Sequence, residues 1–166
     1  MKLFTNYTQE DYLPYLNEIK YYKSSKTQAV LARIFPTEVI EILNLIIRDY
    51  ETKSAAENSQ SVYHGIMFST NYVKQQTGLS YSKQQRALNL LAKYGAVEVT
   101  FLNVRWVCLN YTYITCVNNL VKQYIKLTSK PNYNLFDLIK LYNNHYIYCI
   151  LDEDDEPIEE DEEELI

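Results

Sequence analysis

Glycine, cysteine and histidine are all scarce in this chain. The sequence has three glycines, at positions 65, 78 and 95, in 166 residues, so the few places that need a left-handed backbone are easy to find. The three cysteines form no CxxC pair and the two histidines are isolated, which leaves too few closely spaced ligands for a zinc site. We therefore expect no metal, no cofactor, and reduced, packed thiols.

Long apolar runs are missing as well. No run approaches the ~20 residues of a membrane helix, and the first residues, MKLFTNYTQEDY, lack the apolar stretch of a signal peptide. The chain also shows no glycine-rich phosphate loop, no paired catalytic carboxylates before its last residues, and no closely spaced Cys–His pair. We expect a cytoplasmic protein that is not an enzyme and does not contact a membrane.

Charge is distributed very unevenly. Residues 1–151 contain 16 basic and 10 acidic side chains, a formal charge of +6, whereas the final fifteen, DEDDEPIEEDEEELI, contain eleven acidic ones. The overall charge of −5 therefore combines a mildly basic body with an acidic tail, and it does not argue against a nucleic-acid partner. We expect the tail to be solvated and disordered.

The first third of the chain has helical periodicity. Apolar residues recur at helical spacing after Thr8, and again in KTQAVLARIF, which Pro36 should end. Pro14 makes the start of the first helix ambiguous. Thr37 then opens TEVIEILNLIIRDYETK, whose apolar residues at spacings of three and four predict one buried face.

Two short helices and a β-hairpin are predicted next. YHGIMFS suggests one short strand, and Ser69 and Ser80 are positioned to cap helices that Gly78 and Gly95 would end. AVEVTF and VRWVCL alternate in polarity and are separated by Leu102 and Asn103, which predicts a tight hairpin. Two further striped helices, around 113–124 and 135–142, should follow.

This order of elements resembles the winged-helix family of helix-turn-helix DNA-binding proteins. TGLS at 77–80 resembles the family's turn, and ALNLLAKYGAVEV at 87–99 resembles the end of its recognition helix followed by the first wing strand. One position departs from the family pattern, because Gln84 stands where an aliphatic core residue is usual. The resemblance implies a fold that is mainly α with a small β-hairpin, an α+β winged helix with flanking N- and C-terminal helices.

The resemblance also implies a recognition helix at about 80–93. At 100° per residue, Gln84, Ala87, Leu88 and Leu91 share one face, and the opposite face carries residue types that bond base edges and phosphates. No acidic residue occurs between Glu57 and Glu98. The candidate DNA-binding residues are Ser80, Ser82, Lys83, Gln85, Arg86, Asn89, Lys93, Lys74 and Arg105. The alternative is an ordinary solvated face on a winged helix that contacts proteins.

The seventeen tyrosines permit two interpretations. They could stack on single-stranded bases, but their helical spacing favours a core or a subunit interface.

The predicted elements divide the chain into four regions. These are an N-terminal helical extension (1–36), a winged-helix domain (37–111), a C-terminal helical region for dimerisation (112–151) and the acidic tail (152–166).

The predicted function is sequence-specific binding of double-stranded DNA by a homodimer. The chain is similar to replication organisers of phages and plasmids and to small transcriptional regulators, so the process would be transcription regulation, replication initiation or plasmid partition. The alternative is a protein-interaction or inhibitor module whose acidic tail mimics nucleic acid or docks on a basic protein partner. The tail favours this alternative, and the acid-free stretch opposes it.

Overall fold

The computed structural model describes residues 13–56, 65–134, 136, 137, 140 and 141. A 3-10 turn at Leu13–Tyr15 precedes the first helix, so Pro14 lies outside the α-helix that it would interrupt. The elements are α1 (Leu16–Lys23), α2 (Ser25–Ile34), α3 (Thr37–Ala56), β1 (Ile66–Met67), α4 (Thr70–Thr77), α5 (Tyr81–Lys93), β2 (Val97–Leu102), β3 (Val104–Leu109) and α6 (Tyr111–Thr128).

The described residues are mainly helical and carry one small antiparallel sheet of three strands, which confirms the predicted α+β class. β3 lies in the centre, between β1 and β2. Asn103 turns the hairpin with a φ of 70°, as its tolerance of the left-handed region predicted. Val99 pairs with Val107 across the hairpin, and β1 adds Ile66 opposite Val107 on the other side.

Helix α3 is the centre of the packing. It contacts α2, α4, α5 and β3, and its buried residues include the predicted apolar face together with Leu45 and Tyr50. Tyr50, near its C-terminal end, reaches the sheet: its hydroxyl accepts a hydrogen bond from the Leu109 N–H at 3.0 Å and donates to the Val107 carbonyl at 3.4 Å. One hydroxyl therefore satisfies two backbone groups of β3 in the core.

The helices that flank residues 37–111 share the same core. α6 packs on α1 and α2, and its buried stripe includes Val117 and Val121. The Tyr22 ring of α1 is buried, and its hydroxyl donates to the Asn44 side-chain oxygen of α3 at 2.6 Å. Burial raises the pKa of Tyr22 above its ordinary value, so the hydroxyl remains a donor.

This packing changes the basis of the dimer prediction. The apolar stripes of α1 and α6, which the sequence suggested for a subunit interface, are buried within one chain. The homodimer stays a prediction, and its interface would need other residues. Tyr133 and Phe136, which follow α6, are 40% and 70% exposed. Most of the predicted stripe at 135–142 and the acidic tail lie outside the described residues.

The cysteines that are described are free and packed to different degrees. Cys108 is buried in β3 and Cys116 is half-buried in α6. Burial raises the pKa of the Cys108 thiol to about 12, so the thiol is protonated at neutral pH. Cys149, His64 and His145 lie outside the described residues. Within the described part of the chain, no helix combines the length and the apolar character needed to cross a membrane.

Candidate nucleic-acid interface

Helices α4 and α5 meet at a turn whose ends are fixed by local hydrogen bonds. Ser69 Oγ accepts a hydrogen bond from the Tyr72 N–H at 3.3 Å and starts α4, and Gly78, with a φ of 79°, ends it. Ser80 Oγ accepts from the Lys83 N–H at 3.4 Å and starts α5. The predicted caps and the predicted left-handed glycine are therefore confirmed.

Helix α5 has one buried face and one outward face. The buried residues are the four that the helical wheel placed together, Gln84, Ala87, Leu88 and Leu91. Because these side chains contact the core, residues half a turn away are presented to solvent. The predicted division of α5 into a packing face and an outward face is confirmed.

Seven of the nine candidate residues lie on α5 or at its cap. Lys83 and Arg86 are exposed, and the other five are half-buried: Ser80, Ser82, Gln85, Asn89 and Lys93. Lys74 is exposed on the neighbouring helix α4. The structure thus brings these candidates together around one helix, whereas the ninth candidate, Arg105, is elsewhere.

Arg105 does not have the position that a DNA-contacting residue requires. It is only 2% exposed, and its side chain bonds to two residues of α5. Its Nε donates to the Phe68 carbonyl at 2.8 Å, Nη1 donates to Gln85 Oε1 at 3.0 Å, and Nη2 donates to Gln84 Oε1. Burial lowers the pKa of Arg105 to about 10, so the guanidinium is still charged at neutral pH. We therefore correct its predicted role from DNA contact to internal support.

Gln84 completes this buried network. Its oxygen accepts from Arg105, and its Nε2 donates to the Leu79 carbonyl at 3.0 Å and to the Thr70 carbonyl at 3.2 Å. The network joins α5 to the start of α4, to the turn and to β3. This explains how a polar residue occupies a core position, because each of its polar groups has a partner.

A second set of hydrogen bonds attaches α4 to α3. Tyr72 donates to Asp49 Oδ2 at 2.6 Å, and Arg48 Nη2 donates to the Tyr72 hydroxyl and to Gln76 Oε1, both at 3.1 Å. Partial burial, together with the hydrogen bond to Asp49, raises the pKa of Tyr72. The two helices are therefore positioned by the long helix α3 as well as by the turn between them.

The charge of α5 is of one sign. The helix contains Lys83, Arg86 and Lys93 and no acidic residue, and the acid-free stretch extends over residues 58–97. A surface of this kind attracts phosphate rather than repelling it. Its chemical groups are two ammonium groups, one guanidinium, the amides of Gln85 and Asn89, and hydroxyls near the helix start, all of which can bond to nucleic acid.

Sequence reasoning did not find the Arg105–Gln84 pair. The alternation in VRWVCL predicts an apolar face of Val104, Trp106 and Cys108. That prediction is wrong, because the row that faces the core is the opposite one, which contains Arg105, Val107 and Leu109. A usable signal existed in Gln84. A polar side chain at a predicted core position requires a partner with complementary hydrogen-bonding groups.

Comparisons of the chain with protein-family models, with curated proteins and with solved structures gave no match. The resemblance to the winged-helix family therefore depends on the sequence pattern.

Proposed function

We propose that residues 37–111 form a winged-helix module that binds double-stranded DNA in a sequence-specific manner. In this proposal α4 and α5 are the two helices of the helix-turn-helix, α5 enters the major groove, and the β2–β3 hairpin is a short wing. The observation that carries the proposal is the outward face of α5. Lys83, Arg86 and Asn89 lie on a capped helix whose opposite face is buried and whose sequence contains no carboxylate.

The roles within this face follow from side-chain chemistry. Arg86 and Asn89 are the types that bond guanine and adenine edges, so we assign them to base contacts. Lys83 and Lys93 are assigned to phosphates at either end of the helix, with Ser80, Ser82 and Lys74 near the helix start and on α4. The proposal includes a homodimer, because two such modules would read half-sites about one helical turn apart. The biological task would be transcription regulation, replication initiation or plasmid partition.

Alanine substitutions on α5 test this function by fluorescence anisotropy with duplex DNA. On a sequence selected from random duplexes, Arg86→Ala and Asn89→Ala should each weaken binding by about 1–3 kcal/mol. Lys83→Ala and Lys93→Ala should weaken binding to every duplex and make it less dependent on salt. All four side chains lie outside the core, so thermal unfolding should be nearly unchanged.

The matched control for charge is Lys126→Ala, because Lys126 is an exposed lysine on α6, away from the proposed interface. This variant should bind DNA like the parent protein. If the four α5 variants also bind like the parent, or if the parent does not bind duplex DNA at low salt, the proposed function is wrong.

The acidic tail supports a second function, docking on a basic surface. Eleven carboxylates in residues 152–166 repel one another and suit a cation-rich partner, either another protein or the DNA-binding face of this chain. A tethered segment has a high effective concentration, on the order of millimolar for a short linker, so it can compete with phosphate.

Deleting residues 152–166 should therefore tighten binding to random duplex DNA without changing the melting temperature. The difference from the full chain should shrink above ~0.15 M salt, where the Debye length is about 8 Å. A full-length variant with the tail carboxylates replaced by amides controls for tail length and should behave like the deletion. Equal or weaker binding after both changes would exclude internal competition and leave docking on a separate partner.

A further inference from the structure

Gln85 is a candidate DNA-binding residue whose side-chain amide already makes one hydrogen bond within the protein. It lies on α5 beside the outward face and is half-buried. Its Oε1 accepts a hydrogen bond from Arg105 Nη1 at 3.0 Å. Among the described residues, no acceptor takes the hydrogens of its Nε2. The amide oxygen of Gln85 is therefore occupied, whereas its NH₂ group can donate to a ligand.

The direction of the Gln85 amide follows from its neighbour. A guanidinium has only donors, so the group that faces Arg105 must be the amide oxygen and not the NH₂. Arg105 is fixed in turn by the Phe68 carbonyl and by Gln84 Oε1. Gln84 is oriented by the Leu79 and Thr70 carbonyls, which accept only. The backbone carbonyls thus fix the orientation of Gln84, Gln84 and the Phe68 carbonyl fix that of Arg105, and Arg105 fixes that of the Gln85 amide.

We propose that Gln85 is a specificity-determining residue that offers DNA its amide NH₂ as a donor, and that it therefore selects guanine rather than adenine. This inference rests on the proposed DNA-binding function. The usual contact of glutamine with adenine uses the amide oxygen and nitrogen together, on N6 and N7. Here the oxygen is directed towards the buried guanidinium. Guanine presents two acceptors in the major groove, N7 and O6, which suit a group that only donates.

The test is selection of binding sites from random duplexes with the full chain and three variants. The parent should select one position as guanine, with roughly tenfold weaker binding when adenine replaces it. Gln85→Glu keeps an acceptor for Arg105 but presents a second acceptor outward, so this position should change to cytosine, whose N4 group donates. Gln85→Met should bind with no base preference there. Both variants alter a half-buried side chain and should fold.

Gln123→Glu is the matched control, because it makes the same change of charge at an exposed position of α6. It should keep the guanine preference. If the parent selects a site and the Gln85 variants select the same bases, Gln85 is not a reader, while the proposed function stands. If the position that depends on Gln85 is adenine, the amide binds through both ends and the inference is wrong. If no duplex is bound at all, the proposed function fails and the inference fails with it.

Discussion

Replacing Gly65 with alanine should destabilise the fold by about 2–5 kcal/mol, from two effects that add. Gly65 has a φ of 84°, in a region that costs an L-residue roughly 1–2 kcal/mol. A Cβ built there would also lie 2.0 Å from the Val107 carbonyl oxygen and 2.6 Å from the Tyr50 hydroxyl. Neither atom can easily move away. The carbonyl oxygen belongs to the backbone of the central strand, and the Tyr50 hydroxyl is hydrogen-bonded to it.

Gly78→Ala is the matched control for this experiment. Gly78 has a similar φ of 79°, but nothing lies within 4 Å of an added Cβ. Gly78→Ala should therefore lower the stability of the fold only by the cost of the left-handed backbone, roughly 1–2 kcal/mol. Urea denaturation followed by circular dichroism measures both variants. Equal losses at the two positions would mean that the close approach of Gly65 to β3 is not present in solution.

Arg105→Met should cost about 2–6 kcal/mol of stability, because it leaves buried acceptors without donors. Gln84 Oε1 and the Phe68 carbonyl both lose a charged donor in a buried site, at roughly 1–3 kcal/mol for each unsatisfied group. Methionine retains most of the length of the side chain, so the change removes hydrogen bonds more than volume. Urea denaturation of the variant and the parent gives the difference directly.

The double variant Gln84→Leu with Arg105→Met distinguishes hydrogen bonding from packing. Removing both polar partners leaves fewer unsatisfied groups, so the double variant should be more stable than the sum of the single losses predicts. Gln84→Leu alone should be destabilising, because Arg105 would keep a buried charge with one partner fewer. Strictly additive losses would show that the two side chains do not act as a pair.

Local signals predicted much of the central region. Ser69, Ser80 and Gly78 were assigned correctly because caps and left-handed turns depend on neighbouring backbone groups, which the sequence specifies directly. Asn103 was likewise predicted as the turn residue of the hairpin, because asparagine tolerates the left-handed backbone that this turn needs. The faces of α5 followed from periodicity alone, since a helix places residues three and four apart together.

Long-range choices were not predictable in this way. The stripe that contains Val117 indicated that one face of α6 is buried, but periodicity does not say whether the partner is the same chain or another copy. Arg105 was misassigned for a similar reason. Its burial depends on Gln84, Gln85 and a backbone carbonyl distant in sequence, and a single arginine in an alternating strand reads as exposed.

The Tyr50 hydroxyl has a consequence for self-association. β1 is a strand of only two residues, so it covers a small part of the edge of β3. Leu109 lies beyond this pairing, and an unoccupied backbone N–H there would be a point at which an extended segment of another molecule could add. The Tyr50 hydroxyl accepts a hydrogen bond from this N–H, and Tyr50 is only 1% exposed. An incoming strand would have to pull this tyrosine out of the core, so the side chain protects the sheet against edge-to-edge aggregation.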